Sequence, residues 1–418
     1  MFALTRFNEG GLGFDLAPDS EVQGRRDRFT VVIGANGSGK SRLLRAIATS
    51  AMTYSRETNK AASSGPTRIL AVSNLVSDSF PFEPRGTAGA YRYLGLRQAS
   101  NNMSTGSLQD SILDSLLEYE LESRSLATLS PVFQELGFDQ WSIASSSRKR
   151  RLPLMKLSDL VAELDRFQAE RAPTVAEEIV STLNAAISTM QQTNKDHKPR
   201  LIGLLQDLRS TYNLPGALLV RTMRKATGAT LRVVLQAQNQ QKPADLLSAG
   251  QSMLLSMCTR IAANIHPESL VLVDEPETGL HPNWQSSFIP LLQSMFPNGT
   301  SSHFFIATHS PHLVADASDV LVPSETPGLF EEFDEPFYGR SPENVLYRVF
   351  GARVTGNLLV ERDLTTVMSA LSARSLRAFN PGSPTADALM RLRAIASSDT
   401  IVLNSIIAEV HNFVEDSK

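Results

Sequence analysis

The sequence has little cysteine and no long apolar run. Cys258 is the single cysteine among 418 residues, which excludes a disulfide within the chain and favours a reducing compartment. No basic segment followed by an apolar one opens the chain, and no apolar run is long enough to span a bilayer, so we predict neither a signal peptide nor a membrane helix. We therefore expect a cytoplasmic protein. The seven histidines show neither H-E-x-x-H nor paired Cys/His spacing, which argues against a zinc site.

The chain also has no excess of basic charge. Its net charge of −3 gives no general nucleic-acid footprint, so any contact with DNA must come from a local patch. The one dense basic cluster consists of Arg148, Lys149, Arg150 and Arg151. Two interpretations of this cluster stay open, a solvated loop between helices and a sequence-independent contact with phosphate backbones.

A glycine-rich segment at residues 34–41 has the spacing G-x-x-x-x-G-K-[ST] and lies between an apolar strand pattern and an apolar helix pattern. Glycines allow successive backbone N–H groups to turn toward a phosphate, and the following helix adds its positive dipole end. We predict that Lys40 reaches the β and γ phosphates of ATP and that the Ser41 hydroxyl binds Mg²⁺. The predicted nucleotide-binding residues of this segment are Asn36, Gly37, Ser38, Gly39, Lys40 and Ser41.

A second segment, residues 270–275, is four apolar β-formers followed by Asp274 and Glu275. Such a run predicts a buried parallel strand that delivers both acids to the sheet edge where the glycine-rich loop lies. Asp274 would act on Mg²⁺, and Glu275 would be the base or orienting group for an attacking water. An acid pair after a strand often marks only a turn, but together with the glycine-rich loop the functional interpretation is favoured.

The segment Leu246–Gln251 precedes an apolar helix, where Ser248 is a good N-cap. Its pattern L-S-x-G-Q, followed by h-h-h-h-D-E-P, resembles the signature motif of ABC-type ATPases. The resemblance implies that Ser248, Gly250 and Gln251 contact the γ-phosphate held by another copy, and hence a head-to-tail homodimer or higher homo-oligomer. It also implies that His309, in T-H-S-P after a buried strand, is a switch histidine that helps to position the attacking water. A lone histidine is otherwise most often structural.

The stretch D-E-P-E-x-G-L-H-P at 274–282 resembles the ATPase half of the RecF-like and overcoming-lysogenization-defect groups, over about residues 1–100 and 215–355. Two features depart from those groups. Glu361 lacks the glycine that starts a Toprim nuclease domain and no D-x-D follows, so we expect no nuclease in this chain, and long coiled-coil arms are missing. The residue that senses the γ-phosphate is less evident, with Asn74 the first choice and Gln98 the second.

The fold expected from this resemblance is an α/β ABC-type P-loop head, with a mixed sheet, an antiparallel N-terminal edge and an inserted helical subdomain. We predict a division into 1–104, 105–212 (helical insertion), 213–355 and 356–418 (helical tail). The apolar runs at 217–221 and 230–235 suggest a hairpin. Stand-alone relatives with this layout are often ATPase subunits of phage-defence systems such as Septu and PARIS, which work with a separately encoded nuclease. The alternatives are a RecF-like clamp that binds DNA itself and a slowly hydrolysing ATP-binding scaffold, although an intact Glu275 argues against the scaffold.

Overall fold

The computed structural model describes most of the chain. The described residues are 2–16, 27–57, 65–75, 77–82, 89–96, 107–122, 127–145, 157–166, 172–191, 196–226, 231–238, 240–333, 358–396 and 401–415. The chain divides into two compact units, Met1–Val345 and Leu346–Lys418.

The first unit contains the described strands. They are β1 (Arg6–Glu9), β2 (Leu12–Asp15), β3 (Arg28–Ile33), β4 (Arg68–Ser73), β5 (Tyr91–Leu94), β6 (Gln140–Ser145), β7 (Leu231–Ala237), β8 (Gln240–Pro243), β9 (Ser269–Asp274), β10 (His303–Thr308), β11 (Asp319–Pro323) and β12 (Phe330–Glu332). Seven of them form one sheet in the order β12-β11-β3-β10-β9-β4-β5, parallel except for β12 at one edge. This mixed α/β arrangement confirms the predicted fold class.

The three central strands of this sheet, β3, β9 and β10, end at the same edge. Every residue of β3, β9 and β10 is buried, which is the pattern of parallel strands covered on both faces. Ile33 pairs with Thr308, and Ala307 pairs with Asp274, so the three strands end level with one another. The loops that follow them therefore meet at a single edge of the sheet.

A buried polar network holds the central strands together at their other end. His303 accepts a hydrogen bond at Nδ1 from the Leu4 backbone N–H (3.0 Å), and its Nε2 lies 2.8 Å from the Thr30 hydroxyl. That hydroxyl donates to Asp319, which also binds Arg28 through both carboxylate oxygens at 2.7 and 2.8 Å. Burial, reinforced by the Arg28 charge, lowers the pKa of His303 well below its usual value, so the ring is neutral.

The N-terminal strands form a separate antiparallel hairpin, with Arg6 opposite Asp15. Its turn uses Gly10 and Gly11, whose φ angles are +60° and +76°. The N-terminal strands are antiparallel, as predicted, but they do not form the edge of the mixed sheet, whose antiparallel edge strand is β12.

Nine described helices belong to the first unit. They are α1 (Lys40–Glu57), α2 (Ser107–Leu121), α3 (Ser130–Glu135), α4 (Leu157–Arg166), α5 (Ala172–Gln191), α6 (Lys198–Tyr212), α7 (Gly216–Ala226), α8 (Ala249–Asn264) and α9 (Pro282–Met295). Short 3₁₀ helices span Ala244–Leu246 and Pro311–Leu313. Helices α2 to α6 occupy the stretch expected to be helical, but β6 interrupts them at Gln140–Ser145. The boundaries of the four predicted segments stay a prediction.

The hairpin predicted from 217–221 and 230–235 is wrong. Residues 217–221 lie in α7, where Leu218, Leu219 and Met223 are buried on one side, and a short apolar run does not by itself distinguish a helix from a strand. The second run does form a strand, β7, but its hairpin partner is β8 and its other neighbour is β6.

The described residues of the second unit form three helices, Leu358–Ser372, Pro384–Ile395 and Ile401–Glu415, with a short 3₁₀ turn at Leu376–Phe379. They enclose a small apolar core, and Arg391 joins two of them through a two-point contact with Asp363. Glu361 lies in the first of these helices. Among the residues that the structure describes, no helix has both the length and the apolar character needed to cross a bilayer.

Candidate functional site

The glycine-rich segment forms the turn between β3 and α1, as predicted. Gly37 and Gly39 have φ angles of +85° and +100°, a backbone region that other residues seldom adopt. Lys40 begins α1 and is 5% exposed, and its Nζ donates to the carbonyls of Gly34 (2.8 Å) and Ala35 (3.3 Å). The ammonium group is thus held inside the loop that surrounds it.

The predicted metal pair is brought together. The Ser41 hydroxyl donates to Asp274 Oδ1 at 2.9 Å, although the two residues are 233 positions apart. Asp274 is 1% exposed, and among the described residues its Oδ2 has no hydrogen-bond partner. Burial raises the pKa of Asp274 to about 6. A hydroxyl and a carboxylate with a free oxygen are the hard ligands that Mg²⁺ prefers, so these two residues fit the ion. The buried Ser38 hydroxyl, which also lacks a described partner, fits a phosphate oxygen.

Glu275 and His309 are also in contact. His309 Nδ1 lies 2.5 Å from Glu275 Oε2, and Lys40 Nζ lies 3.9 Å from Glu275 Oε1. Glu275 has φ of +50°, uncommon for a residue with a side chain, and its N–H is fixed by the Ala307 carbonyl at 2.9 Å. Such conformations concentrate at functional sites. The predicted base and switch histidine therefore lie side by side at the ends of β9 and β10.

Sequence reasoning gave no role to Glu277, which the structure places in this cluster. One oxygen each from Glu275 and Glu277 and one nitrogen of His309 lie within 4.8 Å of one another. Burial, and then the neighbouring Glu277 carboxylate, raise the pKa of Glu275 to about 7. This set of atoms has the chemistry of metal ligands, but the Lys40 ammonium lies 3.9 Å from Glu275, and the pair predicted to hold Mg²⁺ is Ser41 and Asp274.

The predicted γ-phosphate sensor lies near the site but is engaged elsewhere. Asn74 follows β4 and is 4% exposed, and its amide accepts a hydrogen bond from buried Arg260 and donates to the Met253 carbonyl at 3.5 Å. Gln98 lies outside the described residues. Further along the same loop, the Ser79 hydroxyl donates to the Ser41 carbonyl at 3.1 Å, and the negative charge of Asp78 contributes to the raised pKa of Asp274. The loop after β4 thus reaches the predicted metal pair through Asp78 and Ser79, neither of which was predicted.

The signature-like segment forms the start of α8. Ser248 is the N-cap, and its hydroxyl accepts from the Gln251 N–H at 3.2 Å while the Gln251 side chain accepts from the Ser248 N–H at 3.0 Å. Ser248 and Ala249 are exposed, and the preceding Leu246 is 64% exposed. The cap predicted from sequence is confirmed, and the helix end faces solvent. The structure does not bring Ser248 and its neighbours together with Lys40 in any described contact of this chain.

Gly250 anchors this helix end to the loop after β9. A Cβ at Gly250 would lie 2.7 Å from the Gly279 carbonyl oxygen and 3.2 Å from the Trp284 ring. Gly279 has φ of +78°, and a Cβ there would lie 2.5 Å from the Met253 sulfur. The cap of α8 and the loop that follows Glu275 consequently form one packed contact.

We expect Gly250→Ala to destabilise the protein by ~1–3 kcal/mol, because the new methyl group must displace a backbone carbonyl. Gly203→Ala is the matched control. Gly203 lies in the middle of α6 with no atom within 4 Å of its added Cβ, so the same change should be neutral or slightly stabilising. Urea unfolding of both variants measures the difference. Equal stability of the two variants would show that the helix end moves freely.

The basic cluster Arg148–Arg151 lies outside the described residues, so its two interpretations both stay open.

The chain was compared with known proteins. Residues 29–315, more than half of the chain, match the family described as "AAA domain, putative AbiEii toxin, Type IV TA system". The chain is 29% identical over 154 residues to the "Retron Ec83 probable ATPase" of Escherichia coli, which covers 31% of this chain and 28% of that protein. It is 33% identical over 108 residues to the "Septu protein PtuA" of Bacillus thuringiensis, covering 26% of this chain and 24% of that protein. The chain thus spans only about a quarter of each of these relatives.

Among solved structures, the Smc head domain from Pyrococcus furiosus, bound to the C-terminal domain of ScpA, aligns with 73% of this chain and 89% of that chain. The identity is 13% and the TM-score is 0.28.

Proposed function

The chain belongs to the AAA domain family that its residues 29–315 match, and from this premise we propose that it binds ATP with Mg²⁺ and hydrolyses the bond between the β- and γ-phosphates, releasing ADP and phosphate. One observation carries the proposal. Lys40, the Ser41–Asp274 pair and the Glu275–His309 pair, which come from three separate parts of the sequence, lie together at the edge where β3, β9 and β10 end. An anion-binding loop, a magnesium pair and a base are the three parts that nucleotide hydrolysis requires.

Each residue has a role that follows from its position. The backbone N–H groups of the loop and the Lys40 ammonium would hold the phosphates, and Ser41 and Asp274 would hold the ion. Bound ATP with Mg²⁺ supplies an electrophilic γ-phosphorus whose oxygens are partly neutralised by the ion. Glu275 accepts a proton from the attacking water, for which a pKa near 7 is well matched to neutral pH. His309, hydrogen-bonded to Glu275, would orient the carboxylate and the water.

We propose further that the complete site forms between two copies. Ser248 and Gly250 start a helix whose capped N-terminus is exposed, and such an end attracts anions. In the ABC-type ATPases that the motif resembles, this end closes on the nucleotide of the other subunit. The contact of Gly250 with Gly279 supports a coupling, because it links the helix end to the loop that carries Glu275.

The biological role that we propose is control of a separately encoded effector, such as a nuclease, in bacterial anti-phage defence. The support for this role is the similarity to the retron and Septu proteins, which is limited to about a quarter of their lengths.

Mixing two inactive variants tests the shared site. Ser248→Arg should keep ATP binding, because residues 34–41 are unchanged, but lose turnover, because a long side chain blocks closure of the helix end on the partner. Lys40→Ala should lose ATP binding itself. A mixture should regain part of the wild-type turnover, since a mixed dimer contains one site with an intact loop and an intact opposing helix. Phosphate release from each variant and from the mixture measures this.

The replacement Ala249→Ser at the adjacent exposed position serves as a control for disturbance of the helix start and should leave turnover close to wild type. Full turnover by Ser248→Arg alone would contradict a site shared between copies. If turnover by Ser248→Arg falls only in step with the folded fraction, after a loss of stability of about 1 kcal/mol, then Ser248 acts only as a helix cap.

A further inference from the structure

Glu277 is a buried acid next to the proposed base, and one of its two carboxylate oxygens accepts its described hydrogen bonds. Its Oε1 accepts from the Thr308 hydroxyl at 2.5 Å and from the His309 backbone N–H at 2.8 Å, and it lies 3.2 Å from His309 Nδ1. The other oxygen, Oε2, is buried and has no hydrogen-bond donor in the part of the chain that the structure describes. A carboxylate is usually placed in the interior only where several donors meet it.

These bonds fix the point at which the chain leaves β10. The Thr308 hydroxyl, which donates to Glu277, also accepts from the Ser310 N–H at 2.9 Å. Glu277 therefore constrains the residues on both sides of His309 as well as the backbone of His309 itself. Glu277 Oε1 is therefore the acceptor that fixes the backbone turn carrying the His309 imidazole.

The His309 imidazole is more exposed to solvent than the two acids beside it. The His309 side chain is 54% exposed, whereas the side chains of Glu275 and Glu277 are 14% and 4% exposed. An exposed ring samples several rotamers on the nanosecond scale unless hydrogen bonds select one. Here Nδ1 faces both carboxylates, Glu275 at 2.5 Å and Glu277 at 3.2 Å. The described polar contacts that orient the ring are therefore those with the two acids.

We propose that Glu277 is a positioning residue for hydrolysis: its Oε1 holds the end of β10 so that the His309 ring stands against Glu275. Glu277 touches neither the phosphates nor the ion in this role. The inference rests on the proposed ATPase function, because the contact that it preserves is the contact between the proposed base and the proposed switch histidine.

Two substitutions at Glu277 separate the hydrogen-bond role from simple filling of space. Glu277→Met keeps the length of the side chain and removes the acceptor, so the Thr308 hydroxyl and the His309 N–H lose their partner. Glu277→Gln keeps an oxygen that can accept both bonds, and its amide nitrogen can donate to Glu275. We expect Glu277→Met to lower kcat by about 100-fold with KM for ATP little changed, since a displacement of about 1 Å of a positioned group has an effect of this size. Glu277→Gln should stay within about 5-fold of wild type.

Thr308 provides a second, independent pair. Thr308→Val has the same shape but lacks the hydroxyl that Glu277 binds, and we expect a decrease in kcat that is smaller than that of Glu277→Met, because the His309 N–H bond remains. Thr308→Ser keeps the hydroxyl and is its matched control.

The NMR signals of the His309 ring report on its orientation without any catalysis. In histidine-labelled protein, the signal of His309 is assigned by its loss in His309→Gln. The signal should move much further in Glu277→Met than in Glu277→Gln, where only the charge is lost, while the other histidines stay unchanged in both. Unchanged signals of the buried His303 show that each variant is folded.

Three results would overturn the proposal: wild-type kcat in Glu277→Met, an unmoved His309 signal in that variant, or a Glu277→Gln variant as slow as Glu277→Met. The third result would mean that the negative charge, and not the acceptor, is what matters. If the wild-type chain itself hydrolysed no ATP, the proposed function would fail, and the ring signals would still decide whether Glu277 positions His309.

Discussion

Lys40→Ala should abolish ATP binding. Lys40 is the one cationic residue within the loop 34–41, and its Nζ is fixed by two carbonyl oxygens of that loop at 2.8 and 3.3 Å. A positive charge that is 5% exposed is screened little by solvent, and charge-assisted bonds to phosphate are among the strongest that a protein makes. Calorimetry should show a loss of at least about 100-fold in affinity, or roughly 2.7 kcal/mol.

Arg45→Ala is the matched control for this variant. Arg45 is an exposed cation one turn further along α1, so its removal changes the net charge by the same amount without touching the loop. ATP affinity should stay near wild type. Wild-type affinity in Lys40→Ala, with a folded protein, would refute the assignment of the nucleotide site.

Glu275→Gln should keep ATP binding and stop turnover. The amide has the shape of the carboxylate and can still bond to His309, but it cannot accept a proton from water. The loss of a positioned general base typically lowers the rate by about 10²–10⁴-fold. Because burial and Glu277 raise the pKa of Glu275 to about 7, the wild-type rate should also rise between pH 6 and pH 8 as the carboxyl loses its proton. Glu275→Gln should lack this rise.

Glu275→Gln also tests whether ATP makes two copies of the chain associate. If ATP hydrolysis separates the two copies of the chain, a variant that binds ATP without hydrolysing it should stay dimeric. ATP should then shift Glu275→Gln to twice the mass of one chain in size-exclusion chromatography with light scattering. Glu268→Gln, an exposed acid just before the opposite end of β9, is the control and should behave as wild type. An unchanged mass together with wild-type turnover in Glu275→Gln would give the carboxylate another role.

Much of the site could be predicted because its parts are encoded locally. The glycines within residues 34–41 permit the backbone conformation of the loop. Asp274 and Glu275 follow apolar residues that require burial on both faces of the sheet. Once β3, β9 and β10 are taken as parallel, their ends must meet. The contacts of Ser41 with Asp274 and of Glu275 with His309 follow from that single assumption.

The residues that sequence reasoning missed act through contacts that only the folded chain creates. Glu277 lies two positions after Glu275 in a turn, and its partners Thr308 and His309 are more than thirty positions away. Asn74 has the expected residue type and position, but its amide is bound by Arg260, a charge that is fully buried and needs acceptors. No local pattern reveals which polar group such a buried cation will take.

The wrong hairpin has a similar cause. Residues 217–221 are apolar and compatible with either a helix or a strand, and the choice depends on whether neighbouring strands are available. β7 is flanked by β6 and β8, so no edge of that sheet remains for a further strand beside β7. The segment instead forms α7.

The central claim is that this chain hydrolyses ATP at the edge where β3, β9 and β10 end. The most direct test is phosphate release by the purified wild-type chain at saturating ATP, with Mg²⁺ and then with EDTA, beside Glu275→Gln under the same conditions. We expect steady release that requires Mg²⁺ and is at least about 100-fold slower in Glu275→Gln. Release at equal rates by the two proteins, or no release by a wild-type chain that binds ATP, would contradict it.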